Sequence, residues 1–175
     1  MVDGWVLHLV RTGEHSRVSR RRTVGTYEIL HDEVPTGLKG TTVEAKGPGD
    51  NAVAGNGRCV ETKSYPLASQ DGENYKTIGY LVSDDSDRTP KPGIELLDTG
   101  ARREILIHPG HGFLSSIGCI NLTAALADGG DDIQFEDSRD RVIAAIEDLR
   151  AYLAGEFPQY NGRAIPRARI VIEGP

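Results

Sequence analysis

Cysteine is nearly absent from this 175-residue chain, and its two copies, Cys59 and Cys119, exclude a disulfide framework. Long hydrophobic runs are missing as well. No stretch approaches the ~20 apolar residues of a membrane span, so no membrane partner is expected. Positive charge is in deficit: 20 Lys and Arg face 26 Asp and Glu, for a net charge of −6. That balance argues against a nucleic-acid partner, which calls for a basic surface. Internal repeats, coiled-coil heptads and low-complexity tails are lacking. The opening Met1-Val-Asp-Gly-Trp-Val-Leu has an early acid and no extended apolar region. It predicts cytoplasmic synthesis without a signal peptide. Action outside the cytoplasm would then need a secretion system, delivering the chain to a periplasm, or release by lysis.

What is present is a predominantly β pattern. Strands are expected at Trp5–Arg11, Thr23–Leu30, Thr41–Ala45, Cys59–Pro66, Tyr75–Val82, Ile94–Leu97, Ile105–His108 and Arg167–Glu173. The polar stretch from Ser83 to Gly93 reads as a loop or lid. Asn121–Ala127 reads as a short helix. A longer helix is expected from an N-cap at Asp137 or Ser138 to about Ala154, with Gly155 as its stop. Val142, Ile146, Leu149 and Leu153 give that helix one apolar face. The expected fold is mainly β (α+β): a β-sandwich or open barrel with one long C-terminal helix packed on it. Residues 1–175 form a single domain, with a core over 5–122 and the helix and closing strand over 123–175.

Chemistry concentrates in Ile105-Leu-Ile-His108-Pro-Gly-His111-Gly-Phe-Leu-Ser-Ser116-Ile-Gly118-Cys119-Ile-Asn121-Leu122. A thiol becomes a strong nucleophile on losing its proton, and a nearby imidazole is the usual acceptor. His108 ends an apolar strand that can hold its ring rigid. Cys119 follows Gly118, whose missing side chain permits a sharp turn and leaves the Gly118 and Cys119 amides free to face an oxyanion. Ser116 is the candidate to orient the imidazole, through its hydroxyl or carbonyl. His111, on the Gly-rich turn, is the alternative base. A zinc site built from His108, His111 and Cys119 is a competing arrangement, but no fourth ligand is evident. The expected cofactor and metal content is therefore none. Arg17, Arg20, Arg21 and Arg22 form a basic knot that reads as a solvated hairpin tip or as an anion contact.

The segment resembles the catalytic motif of the L,D-transpeptidases, the YkuD-type cysteine enzymes of peptidoglycan. In that family an upstream His precedes a Ser/Thr-His-Gly-Cys segment, an apolar residue, and Asn or Arg. Ser116, Gly118, Cys119, Ile120 and Asn121 match, whereas Ile117 stands where the family has His. The His108-to-Cys119 gap is shorter than in typical cross-linking members. Both departures recur in trimmed relatives: phage-associated domains and short interbacterial effectors that attack peptidoglycan. The likeness covers roughly Trp5 to Leu122.

The resemblance implies a YkuD-like fold and acyl-thioester chemistry on a peptidoglycan stem peptide, at an L-centre linked to a D-residue. Cys119 would attack the amide carbonyl, and His108 would take the thiol proton and return it to the leaving amine. Water as acceptor gives a carboxypeptidase. A diaminopimelate amine gives cross-linking, and a free D-amino acid gives exchange. Arg102, Arg103 and Asn121 are the expected substrate contacts, the arginines by pairing with carboxylates. An effector of this kind implies an immunity or inhibitor protein as partner. Two other readings compete. One is a binding or structural module with an unreactive thiol, suggested by Ile117. The other is a cysteine amidase or peptidase on a non-wall peptide, suggested by the missing signal peptide.

Overall fold

A computed structural model describes residues 3–175. Three long strands dominate the first quarter: β1 (Trp5–Arg17), β2 (Arg20–His31) and β3 (Val34–Ala45). Two-residue turns join them, with positive φ at Val18, Asp32 and Glu33. Such turns match the twist of a hairpin, and here they form without glycine. The strands are consequently longer than the sequence pattern predicts. β1 pairs with β10 from Trp5 to Val10; from Arg11 onward its ladder partner is β2. This outer part is an arm with the basic knot at its tip.

Shorter strands follow: β4 (Ser64–Ser69), β5 (Tyr75–Lys76), β6 (Lys91–Pro92), β7 (Ile94–Leu96), β8 (Leu106–His108) and β9 (Ile120–Thr123). The helix α1 (Phe135–Leu153) and the strand β10 (Ala164–Glu173) complete the chain. Eight strands close a barrel in the order β1-β10-β4-β7-β8-β9-β3-β2, and β5 and β6 form a separate ribbon. The expected sandwich or open barrel is thus corrected to a closed one. Parallel pairing of β1 with β10 makes the closure, so residues after 123 supply a barrel strand.

The core explains the arrangement. Trp5, Leu7 and Leu9 of β1 and Tyr27 and Ile29 of β2 alternate inward, as a half-buried strand should. Val142, Ala145, Ile146, Leu149 and Leu153 of α1 are buried in the same apolar cluster. Polar contacts fix the helix at its edges. Asp148 accepts from Trp5 Nε1 at 2.8 Å and lies 2.7 Å from His31 Nε2. Arg141 donates to the Lys39 carbonyl and to Tyr27 Oη.

Four local expectations are corrected. The stretch expected as a helix from Asn121 begins as β9, because Asn121 and Leu122 are needed in register beside β3 and β8. The long helix starts before Asp137, with Gln134 at its N-cap and no side-chain cap bond. Asp137 instead accepts from the Ala124 amide and from Arg141, while Ser138 is buried. At the other end a 3-10 turn (Ala154–Glu156) extends the helix, with φ +49° at Ala154 rather than at Gly155. Of Tyr75–Val82 only the first two residues are strand.

Candidate functional site

His108 closes β8, and Cys119 immediately precedes β9. The two strands are parallel neighbours, with Ile107 beside Ile120 and His108 beside Asn121. Ile107 and Ile120 are fully buried members of the barrel core. Strand alternation therefore turns Leu106, His108, Cys119 and Asn121 to the other face. Cys119 falls opposite Leu106, whose amide donates to Sγ at 3.3 Å. His108 and Cys119 are diagonal neighbours on that face, and both line an open cavity of about 390 Å³ with Arg20, Leu114, Ser115, Ser116 and Ile117. A smaller cleft of about 150 Å³, lined by Gln70, Glu73, Tyr75, Glu104 and Leu106, meets it at Cys119. The thiol thus stands between two openings, the arrangement a nucleophile needs for a chain lying across it.

The imidazole is held by its own strand end. His108 Nδ1 lies 2.6 Å from the Pro109 carbonyl oxygen. A carbonyl can only accept, so Nδ1 carries the proton and Nε2 is left as a base. The Tyr75 ring packs on the imidazole with centroids 4.4 Å apart at 34°. Burial pushes the His108 pKa down to about 4, and the nearby Lys91 ammonium adds to the fall; the Pro109 contact opposes both. Burial also raises the Cys119 thiol, an effect reinforced by Glu104 and opposed by the Leu106 amide and the Arg102 guanidinium. At neutral pH the resting pair is a thiol and a neutral imidazole.

Ser116 does not orient the imidazole. Its hydroxyl donates to the Cys119 carbonyl at 2.8 Å and pins the turn; the Pro109 carbonyl takes the orienting role. Gly118 has φ +147°, and a side chain there would collide with the Arg102 guanidinium. His111 is exposed on the turn, with its amide and carbonyl both bonded to Ser115 Oγ. Among the described residues no group of His, Cys, Asp and Glu is placed to hold a metal. The three-ligand zinc arrangement therefore does not form.

Two of the three expected substrate contacts are engaged within the protein itself. Arg102 is 3 % exposed and bridges loops, donating to the carbonyls of Arg58 at 2.7 Å, Ile117 at 2.9 Å and Asp50 at 3.3 Å. It builds the floor under the cysteine turn. Asn121 is fully buried and donates to the His108 carbonyl at 3.0 Å. Its amide packs so closely on Gly110 that an added Cβ would sit 2.7 Å away. Arg103 is exposed but lines a separate depression with Glu95, Asp98 and Glu104.

Three contributors leave no signal in the sequence, and a fourth, Arg20, belongs to the basic knot that the sequence offers as an anion contact. Pro109 acts through its carbonyl, which has no residue-type signature. Tyr75 arrives from 33 residues before His108, and no spacing signals it. Ser138 Oγ accepts from the Gly110 amide at 2.9 Å and donates to the Leu122 carbonyl at 2.6 Å, tying helix, turn and β9 together. Arg20 reaches the cavity because the arm docks on the turn: Arg22, fully buried, donates to the carbonyls of Phe113 and Asp128, each at 2.9 Å.

No family model, curated protein sequence or solved structure matches the chain.

Proposed function

We propose that this protein is a cysteine acyl-transfer enzyme acting on peptide amides, with peptidoglycan stem peptides as the substrate class. The observation that carries the reading is a His108 ring whose Nδ1–H is committed to the Pro109 carbonyl, on one open cavity with Cys119. As substrate enters, Nε2 takes the thiol proton and Sγ attacks the amide carbonyl carbon. The amides of Gly118 and Cys119 donate to the developing oxyanion. The imidazolium returns its proton to the leaving amine, and water or an acceptor amine then resolves the thioester. The wall-directed choice rests on the likeness of Ser116, Gly118, Cys119, Ile120 and Asn121 to the YkuD-type motif, and on a fold that is mainly β with one C-terminal helix. Cys119→Ala and His108→Ala should each abolish turnover of a tetrapeptide-bearing muropeptide. Undiminished turnover in either variant overturns the assigned roles.

A second reading, a binding module on the same frame, is favoured by one observation: burial holds both reacting groups neutral at rest. The two readings part on substrate. An enzyme accumulates a thioester on Cys119, detectable by mass spectrometry after acid quench, and a binding module retains the peptide without a covalent adduct.

A further inference from the structure

The basic knot splits into four different environments. Arg17 pairs with Asp132 at 2.6 Å, and Arg21 faces Glu14 at 3.6 Å. Arg22 is fully buried among carbonyl acceptors. Arg20 is exposed and lines the cavity that holds Cys119 and His108. Its guanidinium lies 5.1 Å from the centre of the Phe113 ring and reaches the Leu114 carbonyl only at 3.4 Å. No carboxylate pairs with it among the described residues. The rim around it is partly apolar, with Leu114 and the exposed Ile117 flanking Ser115 and Ser116. Across the sulfur the smaller cleft carries the opposite charge, from Glu73 and Glu104.

We propose that Arg20 is a specificity-determining residue that seats a substrate carboxylate on the Ser115–Ile117 side of the thiol. This rests on the reading of Cys119 as the reacting group and adds the direction in which the substrate lies. A guanidinium presents paired N–H donors that match a carboxylate, and a partly apolar rim strengthens the attraction by thinning the water around it. Docking of the arm through Arg22 and Arg17 fixes the cation relative to the sulfur, so the preference is built into the fold. The acidic cleft opposite repels the same carboxylate, so the two flanks favour one orientation.

The test uses two methanethiosulfonates of similar size, an anionic sulfonatoethyl and a cationic trimethylammonioethyl reagent, on full-length protein with Cys59→Ser. Each forms a disulfide with Cys119 and expels methanesulfinate. Their rate ratio cancels changes in thiolate fraction, because both meet the same thiolate. Exchange needs only an accessible thiolate, so at pH 9 the result stands whether or not the chain turns over a peptide. Arg20→Gln should lower the anionic-to-cationic ratio by about fivefold at low salt, Arg20→Lys should largely restore it, and the difference should shrink towards unity at 1 M salt. Arg21→Gln, at the same tip but facing Glu14, should leave the ratio unchanged. A ratio indifferent to Arg20→Gln, or lowered equally by Arg21→Gln, overturns the proposal.

Discussion

Sγ of Cys119 receives one amide hydrogen, from Leu106, and lies 3.5 Å from the Glu104 carbonyl oxygen; the Glu104 carboxylate and the Arg102 guanidinium beneath the turn act on it with opposite sign. The two charges partly offset each other, and loss of water around the sulfur decides the sign, keeping the proton on it. Alkylation of Cys119 should therefore follow an apparent pKa above the ordinary thiol value of about 8.5. Glu104→Gln should lower that apparent pKa by removing a like charge. A wild-type thiol reactive at pH 6 would contradict this balance. Opposite logic governs His108, where burial penalises the imidazolium. The base is then competent down to about pH 4, and the acid limb of activity should lie well below the limb of a solvated histidine. Tyr75 supplies part of the burial through its ring contact. Tyr75→Ala should admit water, raise the His108 pKa towards 6.5 and move the acid limb upward, as an NMR titration of the imidazole would read. An imidazole titrating identically in both proteins would remove Tyr75 from the account. The cysteine and histidine that share the cavity were legible in the sequence because their residue types signal that chemistry. The orienting group was not, since it is a backbone carbonyl.

Between elements, one serine carries an unusual share of the connections. Ser138 sits in the first turns of α1, and its hydroxyl joins the Gly110 amide of the histidine loop to the Leu122 carbonyl of β9. Ser138→Ala would leave both groups buried without a partner, at a cost of about 1–3 kcal/mol. Urea unfolding should register that loss, and kcat should fall more than KM rises, because the loop after His108 loses its anchor. A variant with unchanged urea midpoint and kcat would reduce the serine to packing. The sequence signals this residue wrongly, as an N-cap, because a serine before a helical apolar stripe ordinarily caps. Here tertiary demand claims the hydroxyl, and the helix begins without a side-chain cap. The same competition explains the other misread elements. Val18, Asp32 and Glu33 adopt positive φ without glycine, so local composition understates the length of β1, β2 and β3. Asn121 belongs to a strand because β8 and β3 flank it, which neither propensity nor periodicity can report.

Across the whole molecule, closure of the barrel depends on β10 returning to lie beside β1, a pairing such as Trp5 with Ala168. A contact between opposite ends of the chain leaves no local trace, which is why strands such as β1, β8 and β10 were legible and the closed ring was not. One consequence of the closed, packed frame is global: unfolding releases His108 into water. Its pKa then moves from about 4 in the folded state to the ordinary 6.5. Between those values the unfolded chain binds the extra proton and the folded one does not, so stability falls as pH drops through that window. The contribution is fully present above pH 6.5 and is lost progressively towards pH 4, amounting to roughly 3 kcal/mol at 1.36 kcal/mol per unit. His15 is lowered in the same direction by burial and Arg22, so it adds to the slope with the same sign. Urea unfolding at pH 7, 6, 5 and 4 should show this decline in the wild type. In His108→Gln the amide can still donate near the Pro109 carbonyl but takes up no proton, so the decline should be shallower by about that amount. Equal slopes for the two proteins would mean that His108 is already hydrated in the native state, and the neutral-base mechanism would lose its physical basis.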